Sequence, residues 1–206
     1  MGTYELERRR VTEINAEASF RNSVNFGAIG DAYRTGGDLD SALKQAESYG
    51  RFAGLDIGVR YAHGAFASDG TLAPPLEETT GIYDHAAAPG VRAPHVWLHQ
   101  AGQRISTLDL FNQGFCLLSG AKGAAWVDAA DELNQKYDVP LAAFVVNGEG
   151  STVTGEGWAQ AYRIDETGAV LIRPDGHIGF RSKTQVENCT QVLEDALAVC
   201  LARVEL

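Results

Sequence analysis

Residues 139–147 read Val-Pro-Leu-Ala-Ala-Phe-Val-Val-Asn, and they carry the strongest strand signal in this 206-residue chain. A nearly unbroken apolar run of that length suits a strand covered on both faces, as in a parallel sheet. Outward from it, Phe115-Cys-Leu-Leu-Ser-Gly120 is a second apolar strand. The residues between them, about Ala121 to Tyr137, place Trp126, Ala129, Ala130, Leu133 and Tyr137 on one helical stripe. Downstream, the glycine-rich residues 148–157 lead into a short helix over Trp158 to Tyr162. Residues 169–174 and 177–181 then predict a hairpin about a two-residue turn, Asp175-Gly176. A last helix is expected over about Lys183 to Val204, with Val186, Cys189, Leu193, Ala196, Leu197, Cys200, Leu201 and Val204 inward.

From residue 115 the order is therefore β-α-β-α-β-β-α. Parallel strands joined by a helix, then an antiparallel hairpin and a covering helix, define an α/β, thioredoxin-like domain. His95-Val-Trp-Leu98 and Arg104–Phe111 supply extra N-terminal strands. A thiol enzyme of that fold needs a thiolate at the N-terminus of the first helix, where the helix dipole lowers its pKa. Here the junction reads Ser119-Gly120-Ala121-Lys122-Gly123-Ala124, and Cys116 sits inside the preceding strand without a CxxC partner. The proline that precedes the third core strand in redox members is also missing from residues 163–168. Thiol redox activity is not expected.

Before this domain, about Tyr4 to Asn25 is helical in pattern, with Leu6, Val11, Ile14 and Ala18 near helical spacing. Gly27 to Gly37 reads as a glycine-punctuated connection. Asp38 is an N-cap for a second helix bearing Leu39, Ala42, Leu43 and Ala46, closed by Gly50 and Gly54. Val59 to Phe66 reads as a strand. Residues 68–91, with Pro74-Pro75 and little periodicity, read as a surface connector. The expected organisation is a helical extension over 1–67, a connector loop over 68–91, and a thioredoxin-like domain over 92–206.

The net charge is −10, and the only basic cluster, Arg8-Arg9-Arg10, lies among Glu5, Glu7 and Glu13. Phosphate backbones need clustered cations, so nucleic acid is not an expected partner. No apolar run approaches the roughly 20 residues that span a bilayer, and no membrane association is expected. The start, MGTYELERRR, has no apolar signal region, and Leu6 stands where a myristoylation signal wants Ser or Thr. The expected location is the cytoplasm.

Cys116, Cys189 and Cys200 form no zinc spacing, and the last two lie roughly 16 Å apart along one expected helix, too far to bridge. His95 and His99 share a strand face about 13 Å apart, which makes no metal site. Asp84-His85, Asp109 and Asp175-Gly176-His177 offer carboxylates and imidazoles, but turn chemistry accounts for Asp175. Neither Gly27-Ala-Ile-Gly30 nor Gly148-Glu-Gly150 completes a GxGxxG fingerprint, because Val153 stands where the third glycine belongs.

Taken together, Arg60–Pro75, Pro89–Leu98, Arg104–Gly120 and Ala169–Arg181 resemble the C-terminal part of FAD-dependent aromatic-ring hydroxylases. These are the phenol hydroxylase-like and polyketide hydroxylase-like flavoprotein monooxygenases. The opening Tyr4-Glu-Leu-Glu-Arg-Arg9 resembles the family's YExERRP segment, with Arg10 in place of the proline. The resemblance covers essentially the whole chain. It implies a thioredoxin-like C-terminal domain without redox cysteines, serving packing or subunit contacts. It implies FAD and NAD(P)H for the parent enzyme and none for this chain, since the family's GxGxxG, DG and GD motifs fall upstream. No catalytic, cofactor or metal residue is therefore expected here, and the chain alone is expected to be inactive. Arg92, His95, Asp109, Arg173, Asp175 and His177 occupy signature positions and are expected to be structural. The implied partner is a flavin-binding domain in the same or a companion polypeptide, with a homo-oligomer as a further possibility. The alternative is a freestanding interaction or dimerisation module.

Overall fold

The computed structural model describes residues 2–46, 52–72, 86–111 and 114–203. Gly50, Pro74-Pro75, Asp84-His85 and Val204, singled out above, lie outside the described residues. The chain divides into two compact units, one built from residues up to Tyr61 and the other from residues 62–72 and those from 86 onward.

The first unit is helical. Helix α1 spans Gly2–Thr35, α2 Leu39–Gln45 and α3 Ala53–Asp56. The break expected at Gly27 does not occur, and Gly27 and Gly30 are helical. A glycine costs a helix only about 1 kcal/mol relative to alanine, which neighbouring turns of Ala28, Ile29 and Ala32 can carry. The helix stops at Gly36, whose φ of +69° lets Gly37 N donate to Ala32 O at 2.9 Å. That 6→1 bond is the Schellman closure. Asp38 caps α2 as expected, accepting from Ser41 N at 3.0 Å. Val59–Phe66 makes no regular strand; Arg60 forms an isolated bridge and residues 62–66 bend.

The second unit holds two sheets. Strands β1 (Trp97–Gln100), β2 (Gln103–Ser106) and β5 (Val153–Thr154) form one, in the order β2-β1-β5. The residues after β2 turn as a 3-10 helix over Thr107–Phe111. Strands β3 (Phe115–Ser119), β4 (Leu141–Val145), β6 (Ala169–Ile172) and β7 (Ile178–Ser182) form the other, in the order β4-β3-β6-β7. β3 and β4 are parallel, while β6 is antiparallel to β3 and β7 to β6. Helices α4 (Ala124–Tyr137), α5 (Trp158–Tyr162) and α6 (Cys189–Cys200) complete the β-α-β-α-β-β-α order.

The two-residue period of the strands splits the core in two. Cys116, Leu118, Val170 and Ile172 face one side with Leu98, Trp158 and Tyr162. Phe115, Leu117, Ala169 and Leu171 face the other with Trp126 and Leu133 of α4 and Leu193 and Leu197 of α6. α6 starts at Cys189 rather than Lys183 because the Asn188 side chain accepts from Gln191 N at 3.0 Å, closing the helix start. The hairpin turn also differs from the two-residue expectation. Gly176 N donates to Arg173 O at 2.9 Å and Arg173 N to His177 O at 2.8 Å, with Gly176 left-handed at φ +79°. Pro174 fixes the first central residue, so Arg173 to Gly176 form a four-residue turn whose last residue is the left-handed glycine. Beyond the hairpin, the outer side of β7 is met by other backbone: Ile178 N donates to Val91 O and Ala67 N to Gly179 O, both at 2.8 Å.

Candidate functional site

The loop between β3 and α4 is where a thiol enzyme of the thioredoxin-like kind would carry its redox cysteine. Three of its amides are engaged: Gly120 N donates to Gly168 O at 2.9 Å, Lys122 N to Glu166 O at 2.7 Å and Gly123 N to Gly120 O at 2.8 Å. Cys116 points into the first core face, and burial pushes its thiol up to about 12. It is a packing residue, not a nucleophile.

Four of the six signature residues meet at the β6–β7 turn. Arg173 Nη2 donates to Asp175 Oδ2 at 2.9 Å, and Nη1 reaches Ala65 O at 3.1 Å. Asp175 Oδ1 accepts from His177 N at 3.2 Å, while its Oδ2 lies 3.4 Å from His177 Nδ1. Arg92 forms an antiparallel bridge with His177, and Ala93 N donates to Gly176 O at 2.8 Å. Burial opposes ionisation of Asp175, but the hydrogen bonds and charge of His177 and the charge of Arg173 outweigh it and lower its pKa to about 2. A carboxylate that acidic is a poor base at neutral pH; it ties the turn.

His95 and Asp109 meet elsewhere, on Ser106. His95 Nδ1 lies 2.7 Å from Ser106 Oγ, and Asp109 Oδ2 accepts from Ser106 N at 2.7 Å. Ser106 Oγ also accepts from Leu108 N at 3.0 Å, so the group shapes the 3-10 turn. His99 lies apart on β1, across from Arg104 of β2. Among the described residues no group of three His, Cys, Asp or Glu could hold a metal ion, and no helix is long and apolar enough to cross a membrane.

The acid side of stability should report on Asp175. Its pKa is lowered from an unfolded value near 3.9, so its contribution is full above about pH 4 and lost as pH falls through about 2. Asp175→Asn is expected to flatten that acid limb in unfolding measured from about pH 6 to about pH 2. Parallel limbs for the two proteins would remove Asp175 from the account.

Sequence reasoning missed the most deeply buried charge among the described residues. Arg181 of β7 is paired with Val170, on the apolar face of β6, and its side chain is 0% exposed. Its carboxylate partner is Asp69, with Nε at 2.7 Å and Nη2 at 2.5 Å from Oδ2. A cation at a core-facing strand position was the available signal; a buried charge needs a partner.

The FAD of the resembled family needs backbone amides free to meet its pyrophosphate. The β3–α4 loop is a glycine-bearing strand-to-helix turn, and its Gly120, Lys122 and Gly123 amides are bonded to the 166–168 turn and to Gly120 itself. The amides of Gly120, Lys122 and Gly123 are therefore not free to meet a pyrophosphate.

Residues 86–203 match the family described as "Aromatic-ring hydroxylase, C-terminal", more than half of the chain. The chain is 37% identical to a tetracenomycin B2 monooxygenase-dioxygenase of Streptomyces olivaceus, over 98% of this chain and 34% of that protein. It is 34% identical to a phenol 2-monooxygenase of Pseudomonas sp. (strain EST1001), over 79% of this chain and 27% of that protein. Among solved structures it is similar to the flavin-dependent monooxygenase PieE in complex with FAD and substrate. There the TM-score is 0.80 and the identity 28%, covering 98% of this chain and 40% of that one. The chain thus spans about a third of the length of these relatives. A matched region over residues 86–203 and relatives aligned along nearly the whole chain have one reading: the chain belongs to the aromatic-ring hydroxylase family, as a member of its C-terminal domain.

Proposed function

We propose that this chain is the non-catalytic, thioredoxin-like C-terminal part of a cytoplasmic FAD- and NAD(P)H-dependent monooxygenase acting on phenol-type rings, serving packing or subunit contacts. The helices before residue 62 continue the flavin-carrying part, which lies in the same or a companion polypeptide. FAD, nicotinamide and the ring substrate bind there, and the hydroxylation is the flavin's chemistry. The observation that carries the reading is how the polar groups are used. The Gly120, Lys122 and Gly123 amides of the β3–α4 loop bond to neighbouring backbone, and the signature residues Arg92, His95, Asp109, Arg173, Asp175 and His177 hold turns.

The test is a flavin titration of the purified chain. After gel filtration with excess FAD, no stoichiometric flavin absorbance should remain, and added NADPH with a phenol should not be consumed. Retention of one flavin per chain overturns the reading.

A second reading, a freestanding interaction or dimerisation module, is favoured by one feature. Helix α1 leaves Phe20 72% and Tyr33 79% exposed, with Val24 and Phe26 more than half exposed. Apolar groups grouped on one helix mark contact surfaces. Light scattering tests the second reading: a strictly monomeric, non-sticky chain argues against it.

A further inference from the structure

Residues 62–72 lie outside the region that matches the family, 86–203, yet they fold with it. Their attachment is specific. Ala67 N donates to Gly179 O at 2.8 Å, and Arg173 Nη1 donates to Ala65 O at 3.1 Å. Asp69 Oδ2 accepts from Arg181 Nε and Nη2, and Thr71 Oγ1 accepts from Nη2 at 2.7 Å. Asp69 is itself held, its Oδ1 accepting from Thr71 N at 2.8 Å. On its other side, Arg181 Nη1 donates to Ala87 O and, at 3.3 Å, to Tyr162 O.

Those five bonds match the five N–H donors of a guanidinium, and three of them end on residues 69–71. Arginine cannot shed its proton to escape an apolar site, so its stability there depends on its acceptors. The Arg181 side chain is 0% and that of Asp69 9% exposed, and Lys183 Nζ, at 3.9 Å from Asp69 Oδ2, is half exposed.

We propose that residues 65–71 are a docking arm which the C-terminal unit uses as a built-in ligand. The β6–β7 hairpin holds the Asp69-Gly70-Thr71 turn through Arg181 and the Ala65 carbonyl through Arg173, and the family region 86–203 is not stable without this arm. The domain is therefore longer than its matched region, and its extra piece recognises by charge rather than by apolar packing.

The experiment uses the full chain. Asp69→Ala leaves Arg181 buried beside lost acceptors, and it is expected to lower the thermal midpoint of the C-terminal unit by roughly 10 °C. Chymotryptic cleavage after Phe66 should accelerate at least tenfold. The double variant Asp69→Ala/Arg181→Met removes the charge as well as its partner. It should recover at least half of the lost midpoint while cleavage stays fast, because a buried pair can be replaced by apolar groups at little cost. Should Asp69→Ala fail to fold, Asp69→Asn gives the same comparison with only the carboxylate charge removed. Fast cleavage with an unchanged midpoint would make the arm dispensable. Unchanged cleavage would mean that Asp69 does not hold it. A double variant no more stable than the single would mean that Arg181 is not the reason. Each of these three results overturns the proposal.

Discussion

Trp126→Ala is expected to lower unfolding free energy by about 3–5 kcal/mol, the range for removing a large aromatic from a packed core. Trp126 is 1% exposed on α4, its indole N–H donates to Thr167 O at 3.0 Å, and its ring packs on Phe180 at 5.9 Å. It therefore joins three elements on one face of the sheet: the helix, the turn before β6, and β7. Alanine would leave a cavity among them and a carbonyl without its donor. Urea unfolding with an unchanged slope is the measurement, since the slope tests whether the denatured state has moved. Trp126→Phe divides the loss: it keeps most of the volume and forfeits the hydrogen bond, and about 1–2 kcal/mol is expected. A loss below about 1 kcal/mol for alanine would mean that the α4 face is held by something else.

Gly120→Ala is expected to cost about 3 kcal/mol or more, although it adds only a methyl group. A Cβ at this position would stand 2.4 Å from Glu166 O and 2.6 Å from Asp165 O. Both are backbone atoms, and they cannot swing away. The 165–168 turn is fixed by the Asp165 carboxylate, which accepts from Thr167 N at 2.7 Å and Gly168 N at 2.9 Å. It is fixed again by Gly120 N on Gly168 O. Gly30→Ala is the internal control. Nothing lies within 4 Å of its added Cβ, the site is helical, and a gain of up to about 1 kcal/mol is expected. Equal effects at the two glycines would contradict the close approach at residue 120.

The sheet was legible in the sequence because burial on both faces leaves an uninterrupted apolar signature in β3 and β6; β4 carries the same signature as an edge strand, with Leu141 buried, Ala142 exposed and residues 143–145 half-buried. The short helix α5 was legible from Trp158 and Tyr162, i and i+4 on one face. Helix ends were less so. The 27–37 glycines read as punctuation, but glycine is permissive rather than prohibitive, and the helix stopped only where a left-handed residue allowed backbone closure. The start of α6 was visible as Asn188, but the apolar stripe running back to Val186 masked it; Val186 packs on the core from outside the helix. At the signature positions the sequence offered residue types without partners. Arg173, Asp175 and His177 are close in sequence and their grouping follows from the turn. Arg181 and Asp69 are 112 residues apart, and no periodicity links two single positions at that distance.

The uneven finish of the larger sheet limits how copies of it could join. β7 is bordered by the backbone of Ala67 and Val91, whereas β4 ends the strand order on the other side with the uncharged residues Leu141–Val145. A sheet with two bare edges can add strands at both and grow without end, the geometry of a fibre. A sheet with one covered edge can join through the other only once. Among the described residues, a strand added to the larger sheet at β7 would first have to displace the backbone of Ala67 and Val91, so growth from that side would cost native hydrogen bonds.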